Sequence, residues 1–125
     1  METPDAKTDE KPNNNPLAPF WYTPSGHKDD GLRVKLRALT PFEYYDVQAA
    51  VVLVDGSTRM TGASARTALR AGLLEWEGVH NAEGNPLALT RDLDAATAQL
   101  GLVATNDIIS KIIDATQLRE LQRKN

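Results

Sequence analysis

The four residues Thr40-Pro41-Phe42-Glu43 divide this chain into two kinds of local structure. Thr40 can accept a hydrogen bond from a first-turn N–H, Pro41 suits the first helical position, and Glu43 can reach back to close a capping box. Leu39 before the cap and Tyr44 four positions after it can form a hydrophobic staple. A helix is therefore expected from Pro41, and what precedes it must be something else. What precedes it alternates: Leu32, Val34 and Leu36 with Arg33, Lys35 and Arg37. That period of two marks a half-buried strand with a basic outer face, read as solvated ahead of a phosphate site.

After the cap, Phe42, Tyr45, Ala49, Val52 and Leu53 recur at helical spacing. The β-branched run Val51, Val52 and Val54 leaves a strand open near the end, and Asp55-Gly56 stops the element. A second helix is expected from about residue 63 to 77, with Ala65, Leu69, Gly72, Leu73 and Trp76 on one stripe and Gly78 ending it. Gly72 in mid-helix costs about 1 kcal/mol relative to Ala, which close approach of a neighbouring helix would offset.

Residues 80–86 read as a turn, and Leu87 and Leu89 as a short extended segment. Thr90 is expected to cap a third helix with Asp92 and Asp94 early in it, and Gly101 to close it. Thr105 or Asn106 would cap a last helix carrying Ile108, Ile109, Ile112, Ile113, Thr116 and Leu121. Arg119, Arg123 and Lys124 in its last turns have the sign its dipole favours. No internal repeat is present. The fold class expected is mainly α with a small β element: a compact helical domain with a short N-terminal strand or hairpin.

Residues 1–19 differ from all of this. Pro4, Pro12, Pro16, Pro19, the triplet Asn13-Asn14-Asn15 and several charges cannot bury enough apolar surface to offset ordering entropy, so a disordered acidic tail is expected. Residues 20–125 then make one domain, in keeping with a length of 125 residues. Phe20-Trp21-Tyr22 opens it as an abrupt aromatic cluster, which either docks on the body or awaits a partner.

The net charge of −3 resides in the N-terminal part. From Gly31 onward, acids and bases balance at eleven each, so no basic field invites nucleic acid or an anionic membrane. The longest strongly apolar run, residues 49–54, is far too short to span a bilayer, and Met1 is followed by acids, not by a secretory apolar region. With no cysteine, disulfides, thiolate metal sites and a cysteine nucleophile are excluded. A cytoplasmic, soluble protein is the expectation.

The chemistry of catalysis is thinly represented. His27 and His80 lie in expected loops, and neither has a second histidine at ligand spacing, so no metal or other cofactor is expected. Asp92 with Asp94 and Glu75 with Glu77 stand two apart, a spacing that does not face two carboxylates together on a helix. Ser57, Ser64 and Ser110 lack the strand–turn–helix setting of a nucleophile elbow, and Asp55-Gly56-Ser57-Thr58 lacks the spacing and lysine of a phosphate loop. Arg59, Arg66 and Arg70 share their segment with Glu75 and Glu77, so no basic recognition stripe emerges. No enzyme is expected.

From the capped helix onward the chain resembles the tail assembly chaperones of long-tailed (siphovirus-type) bacteriophages and related prophages. The features that carry this are a short strand leading into Leu39-Thr40-Pro41-Phe42-Glu43, an Ala- and Leu-rich helix ending in Glu75-Trp76-Glu77-Gly78-Val79, the turn Asn81-Ala82-Glu83-Gly84-Asn85-Pro86-Leu87 before a Thr-capped helix, and a final isoleucine-rich helix. They span roughly residues 32–115. The resemblance implies a chaperone that binds and solubilises the tape measure protein, recruits major tail (tube) protein subunits, self-associates, and is absent from the mature virion. It also implies that a longer form can arise by programmed frameshift.

Such a role needs an apolar surface for a helical client. Ile108, Ile109, Ile112 and Ile113 are broad for one buried stripe, and core packing of all four is the plainer reading. Ile109 and Ile113, with Leu118 and Leu121 beyond the expected body and Trp21 at the other end, are the partner-binding candidates. Two competing readings stand beside the chaperone: a structural head–tail or tail-terminator component of the virion, and a small helical DNA-binding regulator.

Overall fold

The computed structural model describes residues 18–27 and 30–123. The expected tail lies outside the described residues except for positions 18 and 19, and Lys124 lies outside them as well. In chain order the elements are β1 (Phe20–Tyr22), β2 (Arg33–Leu36), α1 (Pro41–Ala49), β3 (Val52–Val54), β4 (Ser57–Arg59), α2 (Gly62–Gly72), β5 (Leu73–Glu77), α3 (Leu93–Leu100) and α4 (Leu102–Arg123). The domain is compact and mixes helix with two small sheets, which corrects the expectation of a mainly helical body with one short N-terminal strand or hairpin.

The first sheet is antiparallel, in the order β1-β2-β5. The alternation in β2 is realised: Leu32, Val34 and Leu36 are buried, and the bases between them face outward. Those bases meet the carboxylates of β5, with Arg33 to Glu77 at 3.0 Å and Lys35 to Glu75 at 3.6 Å. Glu75 and Glu77 are thus cross-strand partners of the basic face, although exposed pairs of this kind contribute little stability. Trp21 lies on the same face, under the Arg33 guanidinium (4.6 Å) and near the Lys35 ammonium (5.9 Å). The aromatic cluster docks, with Phe20 and Tyr22 packed on the core.

The second expected helix is shorter than its pattern. α2 stops at Gly72, and residues 73–77 form β5. The reason is a bulge: Lys35 pairs with Glu75 but Leu36 pairs with Leu73, leaving Leu74 as the extra residue. That extra residue places buried Leu73 and Trp76 three apart, which imitates one stripe of a helix. Gly72 does meet a helix closely: a Cβ there would lie 2.7 Å from Ile112 Cδ1 on α4. Gly78 ends β5, not a helix. Its positive φ of 84° and its packing on the Gly31 backbone leave no room for a side chain.

Two caps also move. Asp92, not Thr90, caps α3, its carboxylate accepting from the N–H groups of Asp94 and Ala95 (3.2 and 3.3 Å), while Thr90 accepts from Asp92 N–H one step earlier. α4 begins at Leu102, so Thr105 and Asn106 lie inside it and not at its start. Ile108, Ile109 and Ile112 are core residues, and Ile113 packs half-buried against them. The core lies between the first sheet, α2, α3 and α4, with Val47 of α1 closing it.

Candidate protein-binding surfaces

The start of α1 is built by its capping box. Thr40 N–H donates to Glu43 Oε1 (2.8 Å), Glu43 N–H donates to Thr40 Oγ1 (3.3 Å), and Arg37 grips the same carboxylate with both terminal nitrogens (2.9 and 2.8 Å). The Arg37 hydrogen bonds, with smaller help from the Thr40 N–H, pull the Glu43 pKa down to about 2, and Glu43 raises that of Arg37 in return. One residue earlier, Leu39 N–H donates to Thr116 Oγ1 (2.9 Å), which itself donates to Ile112 O (2.9 Å). This buried pin fixes the entry of α1 against α4.

Between the two helices runs an open groove of about 690 Å³, lined by Pro41, Tyr44 and Tyr45 on one side and Thr116, Arg119 and Leu121 on the other. Its rim is apolar and exposed: Tyr45 is 63% accessible and Leu121 60%. Phe42, at 79%, stands edge-on to Tyr45 with ring centroids 6.0 Å apart. The stripe Phe42–Tyr45 therefore points away from the core, and α1 buries only Val47, with Tyr44 half-buried beside it. Arg119 is buried along the groove, with Nη2 donating to Glu120 (2.9 Å) and its Nε–H lacking a partner among the described residues.

The five partner-binding candidates fall in different places. Leu118 and Leu121 are exposed on α4, and Leu121 lines the groove. Ile109 is buried and Ile113 half-buried, which withdraws most of their surface. Both border a second open groove of about 530 Å³ between α2 and α4, together with Met60 and Ala65. Trp21 is 37% accessible but occupied by its cationic neighbours. Phe42 and Tyr45 recur at helical spacing, and the structure places both on the outer face of α1. Tyr44 and Val47 are spaced as well for a helix face, and nothing local separates the two stripes.

The polar groups serve the architecture. Asp107 accepts from Tyr22 Oη and from Ser25 N–H, both at 2.8 Å, tying β1 to α4; burial first, and then the Asp107 hydrogen bond, raise the Tyr22 pKa. His27 Nδ1 lies 2.8 Å from Asp30 Oδ2, and this hydrogen bond is the main reason the Asp30 pKa is lowered. Among the described residues, no three His, Cys, Asp or Glu side chains gather to hold a metal ion. No described helix is long and apolar enough to cross a membrane.

The residues from Trp76 to Leu87, one part of the motif series that carries the phage-chaperone resemblance, form an interlocked unit. Trp76 Nε1 donates to Leu87 O (2.8 Å), Leu87 N–H donates to Val79 O (2.8 Å), and His80 pairs with Pro86 across the turn. They hold the chain between β5 and α3 and lie apart from the α1/α4 groove. Comparison with protein-family profiles, curated proteins and solved structures finds no match to this chain.

Proposed function

We propose that this chain is a phage tail assembly chaperone that lays an apolar helix face of the tape measure protein in the α1/α4 groove, keeps that client soluble, and recruits tail-tube subunits. The observation that carries this reading is the exposure of Tyr45 and Leu121 on an open groove between two fixed helices, with exposed Phe42 edge-on to Tyr45. Large apolar side chains clustered at a groove are what a helix-in-groove contact uses. The resemblance supplies the client. On this reading the chain works without catalysis in the bacterial host cytoplasm and is absent from the finished particle.

Coexpression with a tape measure fragment tests the reading. Wild type is expected to copurify with the fragment and keep it in solution. The double variant Tyr45→Lys/Leu121→Lys is expected to lose the client while keeping its thermal midpoint, since neither side chain is in the core. Failure of wild type to bind at micromolar concentrations overturns the proposal. Presence of the chain in purified particles would instead favour a head–tail or tail-terminator component. The DNA-binding alternative gains nothing from the arginine positions, because Arg59 sits on β4 and Arg66 pairs with Asp94 at 3.3 Å.

A further inference from the structure

The hairpin β3–β4 adds no side chain to the core, yet it carries Val52, Leu53 and Val54 in sequence, all exposed, with Leu53 71% accessible. An isolated two-stranded hairpin is marginally stable in water, and an apolar strand edge without proline or charge is a template for pairing. The two edges differ. β4 presents Ser57, Thr58 and Arg59, whereas β3 presents only aliphatic residues and pairs with no strand but β4 among the described residues.

The register decides which backbone groups are free. Asp55 and Gly56 both have positive φ (50° and 79°), the signature of a two-residue type I′ turn, which makes Val54–Ser57 the closing hydrogen-bonded pair. Pairs alternate along an antiparallel ladder, so Leu53–Thr58 is a non-hydrogen-bonded pair. The N–H and C=O of Leu53 therefore point to the outer edge of β3.

We infer that β3 is a self-association edge: two copies of this chain pair their β3 strands antiparallel about a two-fold axis centred on Leu53, giving a four-stranded sheet β4-β3-β3-β4. The strand is complementary to itself. Leu53 meets Leu53 of the second copy through two reciprocal backbone hydrogen bonds, and Val52 meets Val54 on the opposite face. No like charges are brought opposite one another. The assembly closes at two, because each outer edge is then the polar β4. With three residues per strand the contact is small, so the dimer is weak and concentration-dependent. The inference holds whether or not the proposed client is correct, since it uses none of the groove residues.

Sedimentation velocity over a rising concentration series tests it. Wild type is expected to shift from monomer to dimer, and Leu53→Lys, which places like charges face to face, to remain monomeric with an unchanged thermal midpoint. The absence of native cysteine makes a second readout clean. Leu53→Cys is expected to form a disulfide-linked dimer on mild oxidation, because a hydrogen-bonded pair holds its Cα atoms about 5.5 Å apart. Thr58→Cys is not, because two further strand spacings intervene. A wild type monomeric up to millimolar concentration, oligomers indifferent to Leu53→Lys, or equal crosslinking at both positions would each overturn the inference.

Discussion

Glu43 does two jobs with one carboxylate, completing the cap of α1 and receiving Arg37. Its folded pKa of about 2 lies below its ordinary value of 4.5, so the ionised form is the one that stabilises the fold. That contribution is fully present above pH 4.5 and is lost as pH falls through about 2. Glu43→Gln is expected to lower stability at neutral pH by about 1 kcal/mol, the scale of a lost cap in a partly solvated pair. Urea titrations across that acid window should show a shallower loss in the variant than in wild type. Gly72 sets a different constraint. An added Cβ would lie 2.7 Å from Cδ1 and 2.8 Å from Cγ2 of a fully buried Ile112, so Gly72→Ala is expected to cost about 1–3 kcal/mol through overpacking, read from the denaturation midpoint.

Between elements, the decisive contacts are single hydrogen bonds with buried partners. Thr116 Oγ1 joins the segment before α1 to α4, and Thr116→Val would leave the Leu39 N–H without an acceptor. Leaving a buried donor unpaired costs about 1–3 kcal/mol, so a fall of that size in unfolding free energy is expected. Trp76→Phe should act in the same range by abandoning Leu87 O, and should also loosen the 80–86 turn, visible as faster amide exchange at Leu87. The elements also show what a pattern hides. Leu73 and Trp76 are spaced for a helix because Leu74 bulges, and a bulge is chosen by the strand across from it. Short-range composition carried no trace of that partner.

At the scale of the molecule, two of the exposed apolar regions carry the proposed contacts, the α1/α4 groove and the β3 edge, while Leu102 and Val103 at the start of α4 belong to neither. The two regions make distinguishable demands. Tyr45→Lys/Leu121→Lys should remove the client and leave the dimer, while Leu53→Lys should remove the dimer and leave binding of a monomeric client fragment. Gel filtration of each variant with and without that fragment separates the two. If a single variant abolished both, the surfaces would not be independent.

The capping box at Thr40, the alternation of β2, the turn at residues 80–86 and the isoleucines of α4 were legible in the residues themselves, because each rests on interactions within a few positions of the chain. Of the partner-binding candidates, Leu118 and Leu121 are exposed as expected, whereas Ile109 lies in the core and Trp21 under its basic neighbours. The tertiary structure alone decided which of two equally spaced stripes of α1 faces inward, where α2 gives way to β5, and that Val52–Val54 projects as a strand without a core to join. Those outcomes depend on what lies across from each segment: Leu73 on Leu36, Gly72 on Ile112, Thr116 on Leu39. Burial is a property of the pair, and one stretch of sequence holds only one member of it.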